Sequence, residues 1–110
     1  MKYLSTLLVL ALTVDAPLRI RVSPQVVMAG GSVTVICSVP RQTDNRSIEA
    51  ILNPYRASMR DLEGENAAIT HRFEFSRIPC EVTEAVCRLT TNAGKSYIAR
   101  QGLLVSGCDP

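Results

Sequence analysis

The chain has 110 residues, 46% of them hydrophobic but only 5% aromatic, and a formal net charge of +2. That length suits one domain, and interspersed signs exclude the clustered basic footprint of a nucleic-acid-binding protein. A single histidine leaves general base catalysis and zinc ligation short of their commonest side chain.

In chain order, residues 1–16 read as a secretory signal peptide. Lys2 supplies the positive start, Leu4–Val14 the apolar stretch, and Val14 and Ala16 the small residues before a cut. An apolar stretch of eleven residues falls short of the roughly twenty that cross a hydrocarbon core, so no transmembrane span is expected. The product is expected to be soluble and secreted, extracellular or periplasmic. Residues 17–110 then form a single domain, and an end two residues after Cys108 reads as that of a complete small protein. Without Lys2 and Asp15 this segment carries eleven basic residues, Lys95 and ten arginines, against nine acidic ones. The excess of arginine over lysine reflects either genome composition or planar forks for carboxylate and phosphate partners.

Strand signals fill the segment. Leu18, Ile20 and Val22 alternate with Arg19 and Arg21, and Pro24 interrupts them as an edge strand allows. Gly30 and Gly31 mark a turn. Val33, Val35, Cys37 and Val39 share one face opposite Thr34 and Ser38, and Pro40 ends the run. Arg41–Arg46 reads as a polar loop, and Ile48, Ala50 and Leu52 open the next strand. Residues 53–68 suit short edge strands joined by loops. Ile69, His71, Phe73 and Phe75 then alternate with Arg72 and Glu74. Ala85, Cys87 and Leu89 follow, then the turn Thr91–Gly94, then a last strand from Tyr97 to Val105. Helix is favoured nowhere in this segment, and short strands with turn signals at such spacing argue for an all-β sandwich.

Four cysteines in a secreted chain imply two disulfides and leave three connectivities open. Catalytic groups, cofactors and metals are not expected. His71 sits on an apolar face and reads as a core or sheet-edge residue. No serine or cysteine lies in a nucleophile motif, and oxidised cysteines are unreactive. Asp61, Glu63 and Glu65 alternate and offer oxygen ligands of the kind calcium takes. The preferred reading is a solvated acidic edge that resists edge-to-edge pairing. Asn45, Arg46 and Ser47 form an N-x-S sequon in the expected loop.

The runs GGSVTVICSVP, EAVCRLTTNAG and LLVSG together resemble an immunoglobulin-like domain, closest to the intermediate (I-set) kind. The resemblance spans nearly all of residues 18–106. It implies a Greek-key β-sandwich of two antiparallel sheets, with a core bridge Cys37–Cys87 and a second bridge Cys80–Cys108 at one end. The family's core tryptophan is absent, Leu52 or Ala50 standing in its region, and Ala85 replaces the tyrosine two residues before the second cysteine. In this arrangement Arg41 and Arg46 in one loop and Lys95 in the last turn lie at the same end, which variable domains use for recognition. The expected function is a secreted, non-catalytic binding or adhesion protein that recognises a protein or glycan surface. Two alternatives are a structural or decoration subunit of a virion or surface assembly, and a secreted inhibitor of an enzyme or immune factor.

Overall fold

The computed structural model describes residues 18–54, 56–62 and 69–108. The expected signal peptide, 1–16, and the carboxylates Glu63 and Glu65 lie outside the described residues. Nine strands occur among them, and no helix: β1 (Arg19–Ser23), β2 (Val26–Met28), β3 (Val33–Ser38), β4 (Asn45–Asn53), β5 (Arg56–Asp61), β6 (Thr70–Phe75), β7 (Glu84–Thr91), β8 (Ser96–Gly102) and β9 (Leu104–Ser106). They form an antiparallel sheet of order β1-β3-β6, an antiparallel sheet of order β5-β4-β7-β8, and a two-stranded parallel pair β2-β9.

The period-2 pattern sets which side of each strand is buried, because successive side chains point to opposite faces. Val33, Val35 and Cys37 of β3 and His71, Phe73 and Phe75 of β6 face inward from one sheet. Ile48, Ala50 and Leu52 of β4 and Ala85, Cys87 and Leu89 of β7 face inward from the other. These residues, except His71, belong to one continuous apolar cluster with Leu18, Ile78, Val82 and Leu103. Each fully buried aliphatic side chain, such as Ile48, Leu52 or Leu89, contributes about 1.5–3 kcal/mol relative to exposure.

Two disulfides fasten the layers. Cys37 of β3 is joined to Cys87 of β7, with Cα atoms 5.9 Å apart, so one bridge links the two antiparallel sheets through the core. Cys80 is joined to Cys108, also at 5.9 Å, which ties the β6–β7 connection to the residues after β9. Disulfides of this kind persist in oxidising compartments. Among the described residues no helix is long and apolar enough to cross a membrane.

Four features depart from the expected elements. The pair β2-β9 is parallel, so the chain is not limited to two antiparallel sheets. Beyond Pro24, Val26–Met28 runs beside the C-terminal strand, a non-local partnership with no local signal. The last strand breaks at Leu103, which is buried and donates its N–H to Thr83 O at 3.1 Å. The strand expected from Ile48 begins at Asn45, so Arg46 lies on β4 and not in the loop. Gly31 closes the β2–β3 turn for a steric reason. A Cβ there would come within 2.9 Å of Met28 O and of Val27 Cγ2.

The edge between β5 and β6 is fastened by side chains. Arg60 donates to Arg72 O at 2.6 Å and stands 4.6 Å over the Phe73 ring, while Arg56 donates to Ser76 O and, at 2.8 Å, to Arg77 O. Both arginines belong to inward-facing register positions of β5, opposite Leu52 and Ile48. Their long stems can cover apolar surface while their heads donate to backbone carbonyls of β6 and the connection after it.

Candidate interaction surfaces

The loop after β3 and the β7–β8 turn meet at one end of the sandwich-like fold. Asn92 N–H donates to Asp44 O at 2.8 Å. The turn itself is closed by Thr91 N–H to Lys95 O at 2.9 Å and by Lys95 N–H to Thr91 Oγ1 at 3.2 Å. The segments bearing Arg41, Arg46 and Lys95 therefore adjoin, and all three side chains are exposed.

Asn45 organises this end. It is 8% exposed. Its Nδ2 donates to Pro40 O at 2.8 Å, and its Oδ1 accepts from Gln42 Nε2 at 2.8 Å. Both functions of the amide are thus committed to holding the loop against the start of β4, where the pairing with β7 slips between Asn45 and Ser47. The sequon side chain is therefore buried at this end, where a glycan on its nitrogen would have to fit against the loop. Sequence reading placed Asn45 in an open loop. Only the fold supplies the carbonyl and amide that engage it.

Beside this end lies an open groove of about 580 Å³ lined by Arg46, Ser47, Met59, Asp61 and Thr90. Strand register explains its composition. Asp61, Ser47, Thr90 and Ser96 form one transverse row on the outer face of β5-β4-β7-β8, and Met59, Glu49, Arg88 and Ile98 form the next. The groove therefore opens onto a broad sheet face. On that face Met59 is 66% and Ile98 53% exposed, on either side of an ion pair between Arg88 and Glu49 at 2.5 Å. Further along, Arg100 pairs with Glu84 at 2.9 Å, and Asn53 Nδ2 donates to the same carboxylate oxygen at 2.6 Å.

The other site candidates have structural places. His71 is buried and is the register partner of Cys37. All four cysteines are in disulfides, which removes them from thiolate chemistry. Asp61 lies on β5 at the groove. Among the described residues no group of three or more histidine, cysteine or acidic side chains converges. The outer-face rows and the arginine contacts at the β5–β6 edge escaped sequence reading, because cross-strand neighbours follow from register and not from local pattern. No protein-family model matches the chain, and no curated protein matches it.

Proposed function

We propose that this chain is a secreted, non-catalytic, immunoglobulin-like binding protein that recognises a protein or carbohydrate surface, with its main contact on the outer face of β5-β4-β7-β8 and the adjoining loop end. The fold part of this reading is supported by the strand orders β1-β3-β6 and β5-β4-β7-β8 and by the bridge between β3 and β7. Such a scaffold is the one expected of a Greek-key, I-set-like sandwich. Fold alone does not assign function. The observation that carries the functional reading is the exposure of Met59 and Ile98 on a sheet face that runs into the groove beside Arg46. Arg41 and Lys95 at its rim suit steering more than affinity.

The test is binding of the oxidised chain, as monomer and as multimer, to arrays of cell-surface proteins and glycans. Met59→Lys and Ile98→Lys are each expected to weaken capture at least tenfold, while Arg41→Ser and Lys95→Ser slow association. Silence on every array, or capture indifferent to both lysine substitutions, would sink the reading.

A second reading, a subunit of a larger assembly, is favoured by a separate observation. Val26, Met28 and Leu104 expose apolar side chains together on the β2-β9 pair. Co-purification with particles that is lost on Leu104→Lys would support it, whereas a strictly monomeric secreted product would count against it.

A further inference from the structure

The ten arginines of residues 17–110 divide by contact. Arg56 and Arg60 reach carbonyls across the β5–β6 edge, and Arg88 and Arg100 are ion-paired on the four-stranded sheet. Arg41 and Arg46 belong to the loop end, and Arg77 to the β6–β7 connection. The remaining three, Arg19, Arg21 and Arg72, share the outer face of β1-β3-β6.

Their placement follows from register. One transverse row is Arg19, Ser38 and Thr70, the next is Arg21, Ile36 and Arg72, and the third is Ser23, Thr34 and Glu74. Arg19 and Arg21 are thus about 6.8 Å apart along one strand, and Arg21 and Arg72 are about 10 Å apart across β3. All three are exposed, and none forms an ion pair among the described residues. Three guanidinium groups held on a rigid sheet at these spacings present forked donors to anionic oxygens. Glu74, the one acidic residue in these rows, stands at the far end from Arg19. There the face runs into a second open depression, of about 420 Å³, lined among others by Ser23, Ser32, Thr34, Glu74 and Ser76. Hydroxyls and a carboxylate are partners for uncharged sugar hydroxyls.

We propose that the outer face of β1-β3-β6 is a binding site for a sulfated glycan, whose sulfates lie over Arg19, Arg21 and Arg72 and whose uncharged hydroxyls reach the Ser23–Thr34–Glu74 end. Other polyanions fit less well. The rows contain no aromatic side chain for base stacking. Their single apolar member, Ile36, is half-buried, which leaves nothing to insert into a lipid surface. The site is separate from the face assigned above to the main partner, so the two readings stand or fall independently.

The test uses the full-length oxidised chain on immobilised heparin, with desulfated heparin, single-stranded DNA and phosphatidylserine vesicles as comparisons. Retention on heparin at 0.15 M salt is expected, with elution as salt rises and little retention on desulfated heparin. The triple variant Arg19→Ser, Arg21→Ser, Arg72→Ser is expected to bind heparin at least about tenfold more weakly while keeping the wild-type melting temperature. The variant Arg77→Ser, on the β6–β7 connection and outside the strands of both sheets, is expected to keep most of the affinity. Passage of the wild-type chain through heparin at 0.15 M salt would overturn the proposal. So would equal loss in the two variants, or binding to DNA or vesicles as strong as to heparin.

Discussion

On β7 and β8 of the four-stranded sheet, Arg88 and Arg100 have carboxylates within reach. Arg88 is the direct register partner of Glu49, and Arg100 lies diagonal to Glu84 across β7 and β8. On the three-stranded sheet Arg21 and Arg72 flank Ile36, and Arg19 faces Ser38. Both faces are exposed antiparallel β-structure with the same residue type in outward positions, yet one neutralises its charge internally and the other presents it. The difference arises because the unit of interaction on a sheet is the cross-strand pair. An arginine on β7 and an arginine on β1 obey the same alternation but meet different neighbours, so a count of arginines says little about charge available to a partner.

The most drastic way to break this contrast is to unfasten the two sheets. Replacing Cys37 and Cys87 by alanine releases a loop of 50 residues and is expected to lower stability by about 4 kcal/mol on the chain-entropy estimate. Because the bridge joins β3 to β7, urea unfolding followed by fluorescence labels on each outer face should show both faces lost in one coincident transition. Separate midpoints would mean that the sheets hold up independently.

A smaller effect should be confined to one region. Asn45→Ala removes the partners of Pro40 O and Gln42 Nε2 and is expected to cost about 1–2 kcal/mol. Hydrogen exchange should quicken in residues 40–45 and 91–95, leaving β1 and β6 unchanged. Expression in a eukaryotic host sharpens the point, since the folded secreted fraction is expected to carry no glycan at Asn45 by intact mass. A fully glycosylated, folded product would contradict the placement of that amide.

The smallest effect bears most directly on the two faces. A double-mutant cycle of Glu49→Ala and Arg88→Ala is expected to show a coupling of about 0.5 kcal/mol that shrinks with salt, as exposed pairs do. Replacing Arg19, Arg21 and Arg72 by serine should change stability by no more than about 0.5 kcal/mol, because these side chains have no ion-pair partner to lose. A large destabilisation would show that the three arginines hold the fold together and are not held ready for a ligand.

Some of this molecule is legible without coordinates. The alternation of Val33, Val35 and Cys37, of Phe73 and Phe75, and of Cys87 and Leu89 marks strands and their buried sides, since the two-residue period is a property of the local backbone. The all-β class follows from repeating that pattern between turn signals. Arg41 and Lys95 are recognisable as solvent-facing from the polar turns that contain them. Asn45 and Arg46 were misplaced by the same logic, because a polar run reads as a loop even when its last residues join a strand and one is buried by contacts from Pro40 and Gln42.

The composition of each surface could be fixed only by the tertiary structure. The sequence by itself determined that Arg19, Arg21 and Arg72 point outward, that four cysteines are present, and that Met59 lies in an irregular middle segment. It did not determine that β1 and β6 both flank β3, that Met59 and Ile98 border one ion pair, or that β2 runs parallel to β9. Those relations depend on the pairing of segments tens of residues apart. A slip of one residue in register would exchange every inward side chain for an outward one. The buried cluster spanning both sheets selects a single register, and the outer faces inherit it.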